Sequence, residues 1–264
     1  MLELKNVTKV FNAGTVNAKV ALDGLDLTLN NGDFVTVIGG NGAGKSTMLN
    51  AVSGVWKVDG GTISIDKTDV TRMPEYKRAK LLGRVFQDPM MGTAADMEIV
   101  ENLALAARRG QHRTLKWGIT SKERAQYKAM LARLDLGLED RLNSKVGLLS
   151  GGQRQAVTLL MAAMKNPKIL LLDEHTAALD PKTAAKVLEI TDEIVNENRL
   201  TTLMITHNMR DAIAHGNRLV MMNAGKIVVD VSGEEKKNLT VETLLSLFSK
   251  ASGSEFLNDR AILS

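Results

Sequence analysis

Residues 39–46 read Gly39-Gly40-Asn41-Gly42-Ala43-Gly44-Lys45-Ser46, and the apolar run Phe34-Val35-Thr36-Val37-Ile38 comes directly before them. The octapeptide fits the pattern G-x-x-x-x-G-K-[ST], in which glycines let backbone N–H groups close around phosphate oxygens. A strand before the loop and a helix after it would aim the positive end of that helix at the same anion. The stretch therefore predicts a phosphate-binding loop in an α/β fold.

Each residue type in this loop has its own expected task. Lys45 is expected to bridge the β- and γ-phosphates of a nucleotide, and the Ser46 hydroxyl is expected to bind Mg²⁺. Thr47 is placed to add a further phosphate contact. The other loop residues that would surround the phosphates are Gly39, Asn41, Gly42, Ala43 and Gly44. A glycine-rich hairpin turn with a surface lysine is the alternative, and it fits poorly because this loop follows a strand and opens a helix.

Two carboxylates follow the short apolar run Ile169-Leu170-Leu171-Leu172. Such a run is typical of a strand buried on both faces of a parallel sheet, and ligands bind at the carboxyl ends of these strands. Adjacent strand residues point to opposite sides. We therefore expect Asp173 to bind Mg²⁺, directly or through water, and Glu174 to polarise the attacking water as general base. Alone the pair could begin a turn, but beside the loop at 39–46 it predicts a P-loop NTPase.

The segment Leu148-Leu149-Ser150-Gly151-Gly152-Gln153 separates the classes of P-loop NTPase. Ser150 is a suitable helix N-cap, and the two glycines leave backbone N–H groups open to an anion. Without further context the segment is a helix start after a flexible loop. It resembles the LSGGQ signature of ABC-type ATPases, which lies about twenty residues before the Walker B carboxylates, as here. The resemblance implies that Ser150, Gly151, Gly152 and Gln153 complete the γ-phosphate site of a second protomer in a head-to-tail dimer.

The resemblance covers nearly the whole chain, with further elements in the family's order. Gln87 resembles the Q-loop glutamine, which implies contact with the metal and the lytic water and a response to a transmembrane partner. Asp180 ends a segment similar to the D-loop, which crosses the dimer interface. His207 matches the switch histidine, which implies contact with the γ-phosphate and positioning of Glu174. Phe11 lies where the family has an aromatic residue that stacks on adenine, although a core position fits Phe11 too.

Two positions depart from the family pattern. His175 follows Glu174 where proline is usual, and Ala178 stands where the D-loop commonly has serine. Neither departure removes a group needed for hydrolysis, but a histidine beside the catalytic glutamate could alter its pKa or the stiffness of the loop. The run from Asp173 to Asp180 resembles a subgroup of bacterial uptake-system ATPases, for which amino acids are a candidate cargo.

Strand and turn signals around the loop complete the α/β architecture. Alternating apolar and polar residues over 2–4, 25–29 and 62–66 indicate short strands. The resemblance to ABC-type ATPases implies that these strands belong to a small antiparallel β subdomain. The turn Asn30-Asn31-Gly32-Asp33 predicts a hairpin that joins 25–29 to the strand at 34–38. The predicted fold class is thus an α/β P-loop NTPase with a RecA-like core, an antiparallel β subdomain and an α-helical signature subdomain.

Helical patterns set the predicted domain organisation. Residues from about 96 to 146 show a helical and more polar pattern. The family resemblance implies a helical subdomain at about 88–150, inserted into an ATPase domain spanning 1–235. Residues 236–264 are expected to form a short helical extension that docks on the core. Its apolar residues at helical spacing are Val241, Leu244, Leu245 and Phe248. No internal repeat occurs, so one nucleotide-binding unit is expected.

Composition narrows the classes of function. The 264 residues include 34 basic and 30 acidic side chains, and a net charge of +4 is too balanced to indicate nucleic-acid binding. There is no cysteine, which excludes disulfides and thiolate catalysis. The longest apolar stretches run about six residues, far below the ~20 that cross a bilayer, and the first residues lack a signal-peptide layout. A membrane role is therefore expected to come from a partner.

A basic cluster lies within the predicted helical subdomain, opposed only by Glu123. Near an anionic membrane surface each charge could add about 1 kcal/mol to binding, but a solvated loop is the favoured interpretation. The cluster consists of Arg108, Arg109, Arg113, Lys116, Lys122 and Arg124.

Three functions compete. An ATP-hydrolysing subunit of a transporter is favoured by the single nucleotide-binding unit, the lack of a fused membrane segment and the compact signature subdomain. A soluble ABC ATPase of translation or DNA repair is the alternative, although such proteins usually carry tandem domains or long coiled-coil insertions. A module that senses ATP without turnover is opposed by the intact set of Lys45, Asp173, Glu174 and His207.

The resemblance also implies ligands and partners. ATP and Mg²⁺ are the expected ligands, and the second protomer of the dimer is expected to be a copy of this chain or a related ATPase subunit. An integral membrane permease would hold the chain at the cytoplasmic face of the cell membrane as a peripheral subunit. A separate permease favours import over export, and import would add a solute-binding protein to the partners. No nucleic-acid partner is expected.

Overall fold

The computed structural model describes residues 1–111 and 118–252 of the chain. Arg113 and Lys116 of the basic cluster, and residues 253–264 of the predicted extension, lie outside the described residues. Within the described ranges the strands are β1 (Leu2–Phe11), β2 (Lys19–Leu29), β3 (Phe34–Ile38), β4 (Gly60–Ile65), β5 (Thr68–Asp69), β6 (Leu82–Val85), β7 (Ile169–Asp173), β8 (Thr202–Ile205), β9 (Arg218–Asn223) and β10 (Lys226–Ser232). The helices are α1 (Lys45–Ser53), α2 (Glu75–Arg78), α3 (Ile99–Ala107), α4 (Ser121–Ala132), α5 (Gly151–Ala163), α6 (Pro181–Asn198), α7 (Met209–Ala214), α8 (Gly233–Lys237) and α9 (Val241–Ser252).

The strands form two sheets of different character. A four-stranded antiparallel sheet has the order β2-β1-β4-β5, and a six-stranded sheet has the order β10-β9-β3-β8-β7-β6. The larger sheet is parallel from β9 to β6, and β10 pairs antiparallel at one edge. The carboxyl ends of β3, β6, β7 and β8 therefore meet at one edge. The loop at 39–46, Gln87, Glu174 and His207 all follow these four strands.

The hairpin predicted between 25–29 and 34–38 is wrong. β2 pairs antiparallel with β1, whereas β3 lies between β8 and β9 in the other sheet. Every residue of β3 is buried, while the second half of β2 alternates between buried and exposed. A strand buried on both faces belongs inside a covered parallel sheet, and an alternating strand suits a sheet with one open face. The turn at 30–33 passes from one sheet to the other.

The region between β6 and β7 is helical, and its helices share one core. α3 begins with a capping box formed by Glu98 and Glu101, and α4 begins with one formed by Thr120 and Glu123. Their buried side chains pack in one cluster with residues of α5 and α6, including Leu103, Leu131, Val157 and Leu188. The helix that carries the predicted signature is thus packed on one side against the subdomain helices and on the other against α6.

The end of the described chain packs on the segment that follows β8. Leu244 and Phe248 of α9 are buried in a cluster with Ile38, Met209 and Ala212, which belong to β3 and α7. The helix expected at 241–248 is therefore present and docked on the core. No helix of residues 1–111 and 118–252 has both the length and the apolar character needed to cross a membrane.

Candidate functional site

The loop between β3 and α1 adopts a conformation that favours glycine. Gly39 has a φ of 152° and Gly44 a φ of 103°. A Cβ on Gly39 would lie 2.3 Å from the Met222 carbonyl oxygen, and one on Gly44 would lie 2.5 Å from that of Ala21. Gly44 is also the N-cap residue of α1, and no side chain caps this helix. The first backbone N–H groups of α1 are therefore left to bind an anion.

Lys45 lies in the centre of this loop and is only 8% exposed. Its Nζ donates hydrogen bonds to the carbonyl oxygens of Gly39, at 2.6 Å, and Gly40, at 3.1 Å. Burial lowers the pKa of Lys45, while the carboxylates of Glu174 and Asp173 act in the opposite direction. The ammonium group is thus held inside the loop and within the field of both acidic residues. Of the next two residues, Ser46 is exposed and Thr47 is buried.

Asp173 ends β7 and faces the neighbouring strand β6. Its carboxylate lies 3.3 Å from the Arg84 guanidinium. Burial raises the pKa of Asp173, and the charge of Arg84 opposes this rise. Arg84 also donates to Asn50 Oδ1 at 2.9 Å and lies 4.6 Å from the ring centre of Phe86. Arg84 belongs to none of the sequence motifs, and the one sequence signal for it is a charged side chain inside the short apolar strand Leu82-Gly83-Arg84-Val85.

Glu174 turns the other way, towards β8. Its backbone N–H donates to the Ile205 carbonyl oxygen at 3.0 Å, and its φ of 47° starts a turn directly after β7. One carboxylate oxygen, Oε2, lies 3.3 Å from Nδ1 of His207, the second residue after β8. The Glu174 side chain is 18% exposed and that of His207 is 46% exposed. The edge of the sheet therefore brings a partly buried carboxylate against an accessible imidazole.

His175 points away from this edge into the core. Its side chain is 1% exposed, and its Nε2 lies 3.0 Å from the hydroxyl of Thr191 in α6. Burial lowers the pKa of His175 to about 4, and the nearby His215 adds to this effect. The imidazole is therefore neutral at physiological pH.

The segment 148–153 begins α5 with a complete cap. The Ser150 hydroxyl accepts from the Gln153 backbone N–H at 3.3 Å, and Gln153 Oε1 accepts from the Ser150 N–H at 3.3 Å. A Cβ on Gly152 would lie 2.0 Å from Thr183 Cγ2, so α5 starts in close contact with the first turn of α6. Asp180 caps α6 by accepting from the Thr183 N–H at 3.1 Å. Hydrogen bonding with the Thr183 side chain, and then with its backbone N–H, lowers the pKa of Asp180.

Two predicted residues lie at the periphery of the edge. Gln87 is exposed in the loop after β6, and the carbonyl oxygen of its neighbour Phe86 accepts from the buried Gln155 of α5 at 3.0 Å. Phe11, at the end of β1, is partly buried and packs edge-to-face on Trp56 with ring centres 4.8 Å apart. Nothing in these contacts decides whether Phe11 stacks on adenine, so that role stays a prediction.

A protein-family model described as ABC transporter matches residues 22–177, which include the loop, the signature segment and both acidic residues. The chain belongs to the ABC transporter family. The family resemblance of the motifs is thereby confirmed. The chain is an ATP-binding and ATP-hydrolysing subunit of an ABC transporter, as favoured from its sequence.

Curated relatives of this ABC subunit are transport ATP-binding proteins. The tyrosine transport ATP-binding protein of Clostridioides difficile is 45% identical over 251 residues, which are 95% of this chain and 100% of that protein. The methionine import ATP-binding protein of Bartonella henselae is 34% identical over 232 residues, 86% of this chain. The chain spans only 64% of that longer protein's length.

Solved structures of ABC cassettes confirm the fold class. An ATP-binding cassette of an ABC transporter in its ADP conformation has a TM-score of 0.76 at 29% identity, covering 94% of this chain and 98% of that one. A dimeric ATP-binding cassette in a post-hydrolysis state, bound to ADP and Pi, has a TM-score of 0.73 at 28% identity, covering 88% and 98%. The α/β P-loop NTPase fold predicted from the loop at 39–46 is therefore correct.

Proposed function

We propose that this chain powers the import of an amino acid, with tyrosine the first candidate, through a separate membrane permease. The observation that carries this proposal is the 45% identity to a tyrosine transport ATP-binding protein over 95% of this chain and the whole of that protein. The amino-acid subgroup suggested by the run from Asp173 to Asp180 agrees with it.

The phosphate loop would bind the ATP phosphates through three kinds of donor. The uncapped N-terminus of α1 offers backbone N–H groups, Lys45 offers an ammonium group held between two loop carbonyls, and the loop glycines admit the phosphate oxygens. Thr47 would add a hydroxyl contact. Phe11, whose ring centre lies 4.8 Å from that of Trp56, would stack on adenine.

The oxygen donors at the sheet edge fit Mg²⁺. The Ser46 hydroxyl, the Gln87 amide oxygen and the Asp173 carboxylate are hard oxygen ligands of the kind that Mg²⁺ binds together with substrate phosphates. Across residues 1–111 and 118–252, no three His, Cys, Asp or Glu side chains gather as a metal site, so these oxygen donors would act with the nucleotide. When bound, Mg²⁺ neutralises charge on the β- and γ-phosphates.

Glu174 would act as the general base. Its carboxylate would polarise a water molecule for attack on the γ-phosphate, which typically contributes about 10²–10⁴-fold in rate. His207, 3.3 Å from Oε2 of Glu174, would orient that carboxylate and contact the γ-phosphate. Lys45 would balance the charge that develops on the phosphate oxygens.

The signature segment would complete the site of a second protomer. Leu148, which is 72% exposed, lies two residues before Ser150, and contact with a partner chain would cover its side chain. Ser150, Gly151, Gly152 and Gln153 would face the partner's γ-phosphate, and Asp180 would cross the same interface. The dimeric cassettes among the similar structures support a head-to-tail dimer of this chain with a copy or a related ATPase subunit.

The helical region at 88–150 would receive the permease. Met90 and Met91, at 53% and 67% exposed, follow Gln87 closely and give this region an apolar surface. Docking there would hold the chain at the cytoplasmic face of the membrane, and a solute-binding protein would deliver the cargo. In this arrangement residues 1–235 would form the ATPase domain and residues 236–264 a short C-terminal extension.

A Glu174→Gln variant tests the ATPase part of the proposal. It should still bind ATP, lose roughly 10²–10⁴-fold in hydrolysis, and accumulate as a closed dimer in Mg-ATP during size-exclusion chromatography. Glu193→Gln, on an exposed position of α6, is the matched control and should hydrolyse ATP like the unmodified chain. A Glu174→Gln variant that stays monomeric in Mg-ATP would contradict the dimer model.

Uptake of labelled amino acids tests the cargo. Cells that lack this chain should lose uptake of tyrosine, and the loss should be restored by the unmodified chain but not by Glu174→Gln. Unchanged uptake of tyrosine and of every other amino acid would refute the proposed cargo, while leaving the ATPase assignment intact. Affinity purification from detergent-solubilised membranes should also recover a multi-span permease.

A further inference from the structure

His175 connects the edge of the sheet to the middle of α6. It directly follows Glu174, and both His175 and its partner Thr191 are buried, at 1% and 0% exposed. The distance from His175 Nε2 to Thr191 Oγ1 is 3.0 Å. None of the roles proposed above uses this histidine, although it stands where the family usually has proline.

The direction of this hydrogen bond follows from the contacts of Thr191. The Thr191 hydroxyl lies 2.7 Å from the Val187 carbonyl oxygen, one turn earlier in α6. A carbonyl oxygen can only accept, so the single hydroxyl hydrogen of Thr191 is used there. Thr191 Oγ1 must therefore accept from His175, and the imidazole carries its hydrogen on Nε2. The bond is specific for a donor at that position of the side chain.

The backbone of Glu174 needs support from both sides. Its φ of 47° lies in the left-handed region, which residues with a Cβ adopt only where their surroundings over-determine it. On the strand side, the Glu174 N–H donates to the Ile205 carbonyl oxygen at 3.0 Å. On the other side, the Glu174 carbonyl oxygen accepts from the Ala177 N–H at 3.0 Å, and His175 is the next anchored side chain.

We propose that His175 is a positioning residue for hydrolysis. Its hydrogen bond to Thr191 fixes the backbone after Glu174 to α6, and thereby holds the Glu174 carboxylate 3.3 Å from His207. The same bond sets where the chain leaves the sheet towards Asp180. This inference rests on the proposed role of Glu174 as general base. It adds a group that never touches ATP and acts only through its neighbour.

The Thr191→Val variant removes the acceptor while keeping the shape of the side chain. We expect kcat for ATP hydrolysis to fall roughly 10- to 100-fold, because small displacements of a reacting group are that costly, with ATP binding and KM unchanged. Thr158→Val is the matched control: Thr158 is 3% exposed, and its hydroxyl donates to the Arg154 carbonyl oxygen at 2.9 Å, one turn earlier in α5. This control should keep the unmodified kcat.

Two substitutions of His175 separate positioning from packing. His175→Gln can place its amide N–H where the imidazole Nε2 lies, whereas His175→Met fills a similar volume without a donor. We expect His175→Gln to recover most of the activity that His175→Met loses, at an equal number of ATP molecules bound per chain. Equal kcat for both variants would overturn the proposal, because packing alone would then explain the histidine. Thr191→Ser keeps the hydroxyl and should keep the unmodified kcat. If Thr191→Val fails to fold, the comparison of His175→Gln with His175→Met carries the test.

Combining Thr191→Val with Glu174→Gln in one chain tests whether His175 acts through Glu174. Adding Thr191→Val to Glu174→Gln should lower the residual hydrolysis no further. A further loss as large as that in the unmodified chain would overturn the positioning proposal and leave the general base in place. Glu174→Gln with full hydrolysis would instead refute the general-base assignment, so the two failures can be told apart.

Discussion

Two glycine-rich segments begin helices beside the nucleotide site, and they differ in how their N-termini are completed. α1 starts after Gly44, and no side chain caps it. α5 starts after Ser150, whose hydroxyl and the Gln153 side chain form a reciprocal capping box. The first helix therefore keeps its backbone donors for an anion, whereas the second satisfies two donors within its own chain.

The glycines of the two segments also face different neighbours. In the phosphate loop, a Cβ on Gly39 or Gly44 would strike a backbone carbonyl oxygen of β9 or β2. In the signature segment, a Cβ on Gly152 would strike only the Thr183 methyl group, at 2.0 Å. A strand carbonyl cannot move without breaking the sheet, but a methyl group can be removed by mutation. The loop would thus bind an anion through its backbone N–H groups, whereas the signature segment begins a helix that is already capped and would only supplement a site.

Among the variants that compare the two glycine-rich segments, Lys45→Met should produce the largest effect, a loss of ATP affinity. A hydrogen bond to a charged group contributes about 1.5–3 kcal/mol, so we expect ATP affinity to fall roughly 10- to 100-fold. Isothermal titration with a non-hydrolysable ATP analogue, on monomeric protein, measures this loss. Lys168→Met, which changes a lysine that is 56% exposed, should bind normally. The contrast between the two segments would fail if Ser150→Ala weakened binding to the monomer as much as Lys45→Met.

Gly152→Ala should have the next largest effect, on stability. The new methyl group would overlap Thr183, and such overpacking costs about 1–3 kcal/mol of unfolding free energy. Urea denaturation measures it. Gly151→Ala is the control, because its Cβ would lie 3.3 Å from Leu179 Cδ2, a tight contact that a shift of this side chain by a few tenths of an ångström would relieve.

A second substitution tests whether the obstacle to a side chain is a removable methyl group at Gly152 but a fixed backbone carbonyl at Gly44. The double variant Gly152→Ala with Thr183→Ser removes the obstructing methyl group and should recover most of the lost stability. No side-chain substitution should recover Gly44→Ala, because its obstacle is the Ala21 carbonyl oxygen at 2.5 Å. A double variant as unstable as Gly152→Ala alone would place the obstacle of Gly152 in the backbone too.

Local chemistry explains what could be predicted from the sequence. The loop at 39–46 and the acidic pair at the end of β7 each form a recognisable motif within a few consecutive residues, so the fold class and the family could be predicted from them. The hairpin at 30–33 failed because turn residues do not report which sheet the next strand joins. That choice depends on the pairing of Val35 with Leu203 and Arg218, far along the chain.

The contacts around the acidic pair likewise could not be predicted from the sequence, because they join residues that are far apart along the chain. Arg84 meets Asp173 across 89 residues of sequence, and His175 meets Thr191 across a full turn region and half of α6. Neither pairing has a spacing that a sequence motif could describe. His175 could be noticed only as a departure from the family pattern, and its partner could be identified only in the folded chain.

Ser150→Ala should have the smallest effect on stability. It nevertheless tests whether the signature segment does more than cap its own helix. Loss of an N-cap costs about 1 kcal/mol, which lowers Tm by roughly 2–4 °C in a chain of this size. Thr120→Ala is a matched control, because Thr120 and Glu123 form the same capping box at the start of α4. Thermal unfolding should show similar losses of stability for both variants.

ATP hydrolysis should fall only for Ser150→Ala, and only where the protein is concentrated enough to dimerise, since Ser150 is proposed to serve the partner's nucleotide. If Ser150→Ala and Thr120→Ala hydrolysed ATP at the same rate, Ser150 would act only as a helix cap.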